Sequence, residues 1–253
     1  MQTAALRLRP LSLGDLLDTT FALYRQNFAL LAGIVAVLTV PQTLLGILFD
    51  AIGGRIAGSL VTDLLAFLFS QLITGSLAIA ISRRYLDESV TIEQAYATVG
   101  VTTFLSLLGG VILYALIVAV GFVFLIIPGI YLSIRLAFYP QGIVIERLGI
   151  FQAFARSGHL VKGTWWRVFG ILIVLYLLTL FLELVAVALA TKLVSAGGSG
   201  PHIVGTIISA VVAILVQPVL LTGLTLLYYD LRIRKEGFDI EHLASHMRTD
   251  GRP

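Results

Sequence analysis

The chain has no cysteine. Disulfides, Cys-ligated zinc, iron–sulfur clusters and thiol chemistry are therefore excluded. Charge is scarce as well: 12% of its 253 residues are Asp, Glu, Lys or Arg, about half the share of an ordinary soluble domain. The net charge of +3 is too small to argue for nucleic acid, and no such partner is expected. There is no Gly-x-Ser-x-Gly, no phosphate loop and no paired-glycine dinucleotide motif. The histidines are His159, His202, His242 and His246. The last two share a helical spacing but have no third ligand nearby, so no metal and no cofactor are expected. Met1 to Pro10 contains no apolar run, and no secretory leader is expected.

Apolar residues are abundant, at 58% of the chain. No core of ordinary size hides that much apolar surface, so lipid is the expected solvent. Six runs stand out: 28–49, 59–81, 101–127, 129–146, 168–191 and 203–229. A helix needs ~20 residues to cross a ~30 Å hydrocarbon layer. The fourth run is short, but as one helix it reaches about 27 Å at ~1.5 Å per residue. The distribution of charge favours counting it. With six crossings, fourteen Lys and Arg residues fall on one side and only Arg55 and Lys192 on the other. That bias marks the cytoplasmic face. The expected architecture is all-α: a polytopic transmembrane bundle of about six spans, one domain over 1–253, in the cell membrane, both termini cytoplasmic. Trp165, Trp166, Tyr228 and Tyr229 fall at the same face, where amphipathic rings anchor.

Each pair of spans follows a polar helix. Over 12–27, Ser12 and Asp15 have capping-box spacing, and Leu13, Leu16, Leu17, Phe21 and Tyr24 recur at helical period. Thr91 and Gln94 repeat the arrangement before the third span. Over 150–166, Ile150, Phe154, Val161 and Trp165 share one face, with Arg156, His159 and Lys162 on the other. Such helices lie flat at a membrane surface. The first and third align without gaps, Leu13 on Ile150 and Thr20 on Ser157, which suggests a threefold pattern of surface helix plus hairpin. The tail, 230–253, opens with Asp230–Arg234 and Arg232–Glu236 at i,i+4 spacing. Gly237 is the expected C-cap. Arg156, Lys162, Arg232, Arg234 and Lys235 are candidate contacts for anionic lipid headgroups.

Three ionisable residues fall inside spans: Asp63, Arg135 and Glu183. Counted along unbroken helices, all three lie within roughly 10 Å of the outer surface. Lone charges there are costly, so an Arg135–Glu183 pair is expected, with Asp63 as second partner or facing water. Such a network serves either as glue between helices or as a substrate or ion site. Three prolines sit beside glutamines within spans: Pro41 with Gln42, Pro140 with Gln141, and Pro218 with Gln217. These are either plain kinks or the polar breaks from which transporters build midplane sites.

Several of these residues resemble a known family. Ile127-Pro128-Gly129-Ile130, Arg135, Pro140-Gln141 and Glu146 follow one another closely, then Ala153, Ser157 and Trp165 or Trp166. The ending Tyr228-Tyr229-Asp230-Leu231-Arg232-Ile233-Arg234-Lys235-Glu236-Gly237-Phe238-Asp239 fits too. The pattern resembles the membrane domain of glycerophosphoryl diester phosphodiesterases and its stand-alone bacterial relatives, nearly end to end. In that family the activity belongs to a separate barrel with His-Arg and acidic metal-binding motifs. No histidine here precedes an arginine, so no catalytic residue carries over. The resemblance implies a non-enzymatic membrane module, a scaffold, partner or regulator near phospholipid or glycerophosphodiester metabolism. The alternative is a transporter or channel-like subunit built on the broken helices. Expected partners are membrane lipids, with other membrane proteins or a second copy of the chain.

Overall fold

A computed structural model of the chain describes residues 10–52, 55–196 and 201–236. The Gly237 cap, His242, His246 and the arginines at 7, 9, 248 and 252 lie outside the described residues. The helices are α1 (Leu13–Gln26), α2 (Phe28–Ala51), α3 (Arg55–Tyr85), α4 (Ile92–Phe124), α5 (Ile126–Arg135), α6 (Tyr139–Ile145), α7 (Ile150–Val161), α8 (Trp165–Ala196) and α9 (Pro201–Glu236). No strand occurs among the described residues.

Local sequence explains the helix starts. The Ser12 hydroxyl accepts from the Asp15 N–H while the Asp15 carboxylate accepts from the Ser12 N–H, a complete capping box. Thr91 and Gln94 do the same for α4. At α7 the Gln152 side chain accepts from Gly149 N–H. The surface helix at the start of α4 turns into its span at Gly100, whose φ of +58° is in the left-handed region that only glycine enters freely.

Five helices contain stretches long and apolar enough to cross a membrane: Phe28–Ala51, Gly58–Tyr85, Ile92–Phe124, Trp165–Ala188 and Ile203–Glu236. Leu48, Leu60, Leu116, Val123 and Phe181 are among many large apolar side chains exposed on the bundle. A surface this apolar faces hydrocarbon. The chain is an integral, multi-pass membrane protein.

The fourth crossing corrects the sequence reading. Residues 129–146 do not form one helix; α5 ends at Arg135 and α6 begins at Tyr139. Pro140 has no N–H to donate and sits in the first turn of α6, so it starts a helix rather than continuing one. Ser157 of α7 repairs the break. Its hydroxyl donates to the Arg135 carbonyl at 2.8 Å and accepts from Phe138 N–H at 3.1 Å. The pair nevertheless runs back along α4. Gly121 of α4 packs against the Gly129 backbone, Tyr114 donates to the Ser133 carbonyl, and Gly110 faces the Tyr139 ring. Further on, Glu146 accepts from Tyr228 of α9, whose neighbour Tyr229 bonds Ser82 near the end of α3. Five helices are thus long and apolar enough to cross unbroken, and the short α5–α6 pair returns beside α4 to bring Glu146 to α9.

At one end of the bundle α9 is central. Leu221 through Leu231 are buried at every position, the mark of a helix surrounded on all sides. The helix touches α1, α2, α3, α7 and α8. The first and third surface helices keep their alignment in burial: Leu16 with Ala153, Thr20 with Ser157, and Leu23 with Leu160 are all buried. The order of elements follows the threefold pattern.

The break predicts a stability difference. Ser157→Ala leaves a buried N–H without a partner and should cost about 1–3 kcal/mol. Ser133→Ala, which removes only a bond within α5, should cost far less. Unfolding midpoints in detergent micelles distinguish the two.

Candidate functional site

Two ionic clusters join the helices at the basic face. In the first, Arg156 of α7 grips Glu146 with two hydrogen bonds of 2.8 and 2.9 Å, and reaches Glu236 of α9 as well. Arg232 stands 3.4 Å from Glu146 and 3.5 Å from Glu236. Tyr228 donates to Glu146. Hydrogen bonds from Arg156 to Glu236 and then Glu146 raise the pKa of the Arg156 guanidinium above its ordinary value, against the opposing effect of burial.

The second cluster surrounds Asp230, which is 0% exposed. Its carboxylate accepts from Leu11 N–H at 2.7 Å, Arg167 at 2.5 Å and Arg234 at 3.0 Å. Both arginines also donate to the Leu11 carbonyl, at 2.6 and 2.8 Å. The segment leading into α1, the start of α8 and the end of α9 are thereby fastened together. The i,i+4 spacing reveals the Asp230–Arg234 and Arg232–Glu236 pairs. The roles of Arg167, Leu11 and Tyr228 carry no local signal, because their partners lie 63, 219 and 82 residues away.

The expected Arg135–Glu183 pair is absent and is corrected here. Arg135 lines a pocket with Trp165, the first residue of α8. Glu183 lies 18 residues further along that continuous helix, about 27 Å away at ~1.5 Å per residue. The counting that placed both near the outer surface assumed an unbroken fourth helix. Arg135 instead belongs to the basic face. Asp63 lies elsewhere, lining a cavity of about 400 Å³ between α2, α3 and α9. Gln42, Asp50, Thr62 and Ser209 line it too. Of the three proline–glutamine sites, only Pro41–Gln42 contributes to this cavity. Gln141 is buried in α6 with its side-chain oxygen unpartnered. Gln217 is half-buried, and the Pro218 carbonyl accepts from Thr222.

Four of the five candidate headgroup contacts have protein partners. Arg156, Arg232 and Arg234 are in the clusters, and Lys235 donates to the carbonyls of His159 and Lys162. Lys162 is exposed, and its side chain makes no ion pair among the described residues. Beside it lies Arg135, in a pocket of about 250 Å³ lined by Tyr131, Gly158, Val161, Gly163 and Trp165. The Arg135 guanidinium sits 5.9 Å from the Tyr131 ring centroid, and that ring stacks on Trp165. A Cβ on Gly158 would lie 3.1 Å from Arg135 Nε, so the absence of a side chain there makes the room.

The family model that matches the chain is that of a domain of unknown function, DUF7847, over residues 55–231, from the start of α3 nearly to the end of α9. No curated protein and no solved structure matches the chain significantly.

The clusters predict an order of stabilities. Asp230→Ala strands two arginines and a buried N–H, and should cost about 3 kcal/mol. Arg234→Gln leaves Asp230 with Arg167 and should cost about 1 kcal/mol, given its partial exposure. Thermal midpoints in micelles test the order.

Proposed function

The chain belongs to the DUF7847 family, and we propose that it is a non-enzymatic module of the cell membrane, a scaffold or regulatory partner near phospholipid or glycerophosphodiester metabolism. One observation carries this reading. The acids and arginines of the two ionic clusters hold helices to one another, and no acid converges with them on an open space where a substrate would react. A protein built this way offers a rigid cytoplasmic plate. The resemblance to the phosphodiesterase membrane domain supports the link to lipid metabolism.

Orientation follows from charge. Fourteen basic residues flank the crossings on one side, and Arg135 joins them. That side is the cytoplasmic one, and both termini lie on it. The native chain has no cysteine, so single cysteines report cleanly. Arg25→Cys should react with a membrane-impermeant maleimide only in inverted vesicles, and Ile52→Cys only in right-side-out cells. The reverse pattern refutes the orientation.

A second reading has its own observation. The cavity lined by Gln42, Asp50 and Asp63 is a polar opening among helices that otherwise expose apolar surface. It suits a transporter or channel-like subunit. One experiment separates the two. Cross-linking in native membranes, then purification in lipid, should recover a recurring partner protein under the first reading. Uptake of a polar solute by proteoliposomes, abolished by Asp63→Asn, would replace it with the second. Hydrolysis of a glycerophosphodiester by the purified chain would refute both.

A further inference from the structure

We propose that the pocket between α5, α7 and the start of α8 binds a phosphate group at the cytoplasmic headgroup level, with Arg135 and Lys162 as its ligands. The inference rests on the foregoing reading only in taking this face as the one that meets headgroups.

Charge makes the first argument. Arg135 and Lys162 line the pocket and no carboxylate does. Neither side chain makes an ion pair among the described residues, although Arg156, Arg167, Arg232 and Arg234 nearby all do. A guanidinium fork next to an ammonium matches the oxygens of a phosphate, the first by paired hydrogen bonds and the second as a point charge. Lys235 adds positive potential behind the loop. Its ammonium takes up the carbonyls of His159 and Lys162.

The second argument is that the pocket is built. Ser157 holds the Arg135 carbonyl from α7, so the backbone that carries the guanidinium is fixed. Gly158, one residue on, leaves the space its side chain occupies. The guanidinium lies 5.9 Å from the Tyr131 ring centroid, within cation–π range. Trp165 stacks on both Tyr131 and Phe169 and forms a stiff wall. Gly163, at φ +82°, turns the chain without narrowing the pocket; nothing lies within 4 Å of where its Cβ would be. The volume of about 250 Å³ equals about eight waters at ~30 Å³ each. A phosphate with its glycerol can displace that water.

Position is the third argument. The pocket lies where the amphipathic α7 meets the first turn of α8, beside the exposed Trp166. Such rings mark the level at which phospholipid phosphates sit.

The chain has two tryptophans, so Trp166→Phe leaves Trp165 as the sole indole and a direct reporter. In dodecyl maltoside micelles, which bring no phosphate, Trp165 emission should change saturably on adding short-chain phosphatidic acid. Inorganic phosphate and glycerol 3-phosphate form the second arm. Response to the lipid alone identifies a headgroup site, and response to the soluble anions identifies a free-phosphate site. Arg135→Gln should weaken binding about tenfold or more, the loss of a charge-assisted hydrogen bond. Gly158→Ala should weaken it as well, by displacing the guanidinium while keeping every charge. Arg25→Gln removes an equal charge outside the pocket and should change nothing. The proposal is overturned if no phosphate compound moves Trp165, or if Arg25→Gln weakens binding as much as Arg135→Gln. Should the orientation test fail while soluble phosphate still binds, the pocket stands and only its lipid source is lost.

Discussion

A carboxylate in the middle of an apolar bundle must be matched by donors, because water is not there to solvate it. Asp230 imposes that demand on the rest of this fold. It lies near the end of α9, in the stretch buried on every face. Its needs are met by a backbone N–H and two arginines drawn from three separate parts of the chain. Each arginine then has donors left over, and both turn to the Leu11 carbonyl. The result is a closed arrangement in which the segment before α1, the start of α8 and the end of α9 hold a single register. Glu146, at the end of α6, makes a parallel demand, and Tyr228 and Arg232 of α9 with Arg156 of α7 answer it. Helices sliding in hydrocarbon have little to fix their depth, since one apolar contact resembles the next. One buried acid and one half-buried acid, each with designated partners, supply that fixing.

The broken fourth crossing follows from the same economy of partners. A helix interrupted beside the membrane boundary frees carbonyls and N–H groups that need partners wherever packing keeps water away. Such a break is tolerable only where protein covers it. Here α7 lies across the gap, and Ser157 accepts one freed donor while donating to one freed acceptor. Gly142 lets α6 approach Ala153 closely enough for α7 to reach. The crossing is therefore stable only as part of a unit with the surface helix that follows it, and Arg156–Glu146 fastens that unit a second time.

Much of this was legible in sequence where the cause is local. Capping boxes at Ser12–Asp15 and Thr91–Gln94 depend on residues three apart, and hydrophobic length sets the crossings. The Asp230–Arg234 and Arg232–Glu236 pairs depend on helical period alone. The position of Arg135 was not legible, for a definite reason. Depth was counted in residues along one helix, and a break at Leu136–Phe138 invalidates the count. The proline that signals the break was visible at 140, but a proline inside an apolar run is equally consistent with a kink that preserves direction. Nor could sequence show that Leu11 and Asp230 meet, because only the closing of the bundle brings them together. Sequence marks Trp165 as an interfacial anchor and Lys162 as a headgroup contact, but no local signal joins either of them to Arg135.

The difference between Arg135 and the four arginines of the ionic clusters is the difference between charges that close a structure and a charge left available. Arg156, Arg167, Arg232 and Arg234 each face a carboxylate, and each ties together elements distant in sequence. Replacing such a group loosens the fold. Arg135 faces an aromatic ring and a space. Its attachment to the fold is through its backbone, by way of Ser157, and the next residue of α7 is the glycine that admits its side chain. One turn of α7 thus mends the interrupted crossing and shapes the pocket at once. An exposed cation that served only to sit at the headgroup boundary would require neither the glycine nor the ring. The glycine and the ring make sense together when the guanidinium is held in one place, facing something that comes from outside the chain.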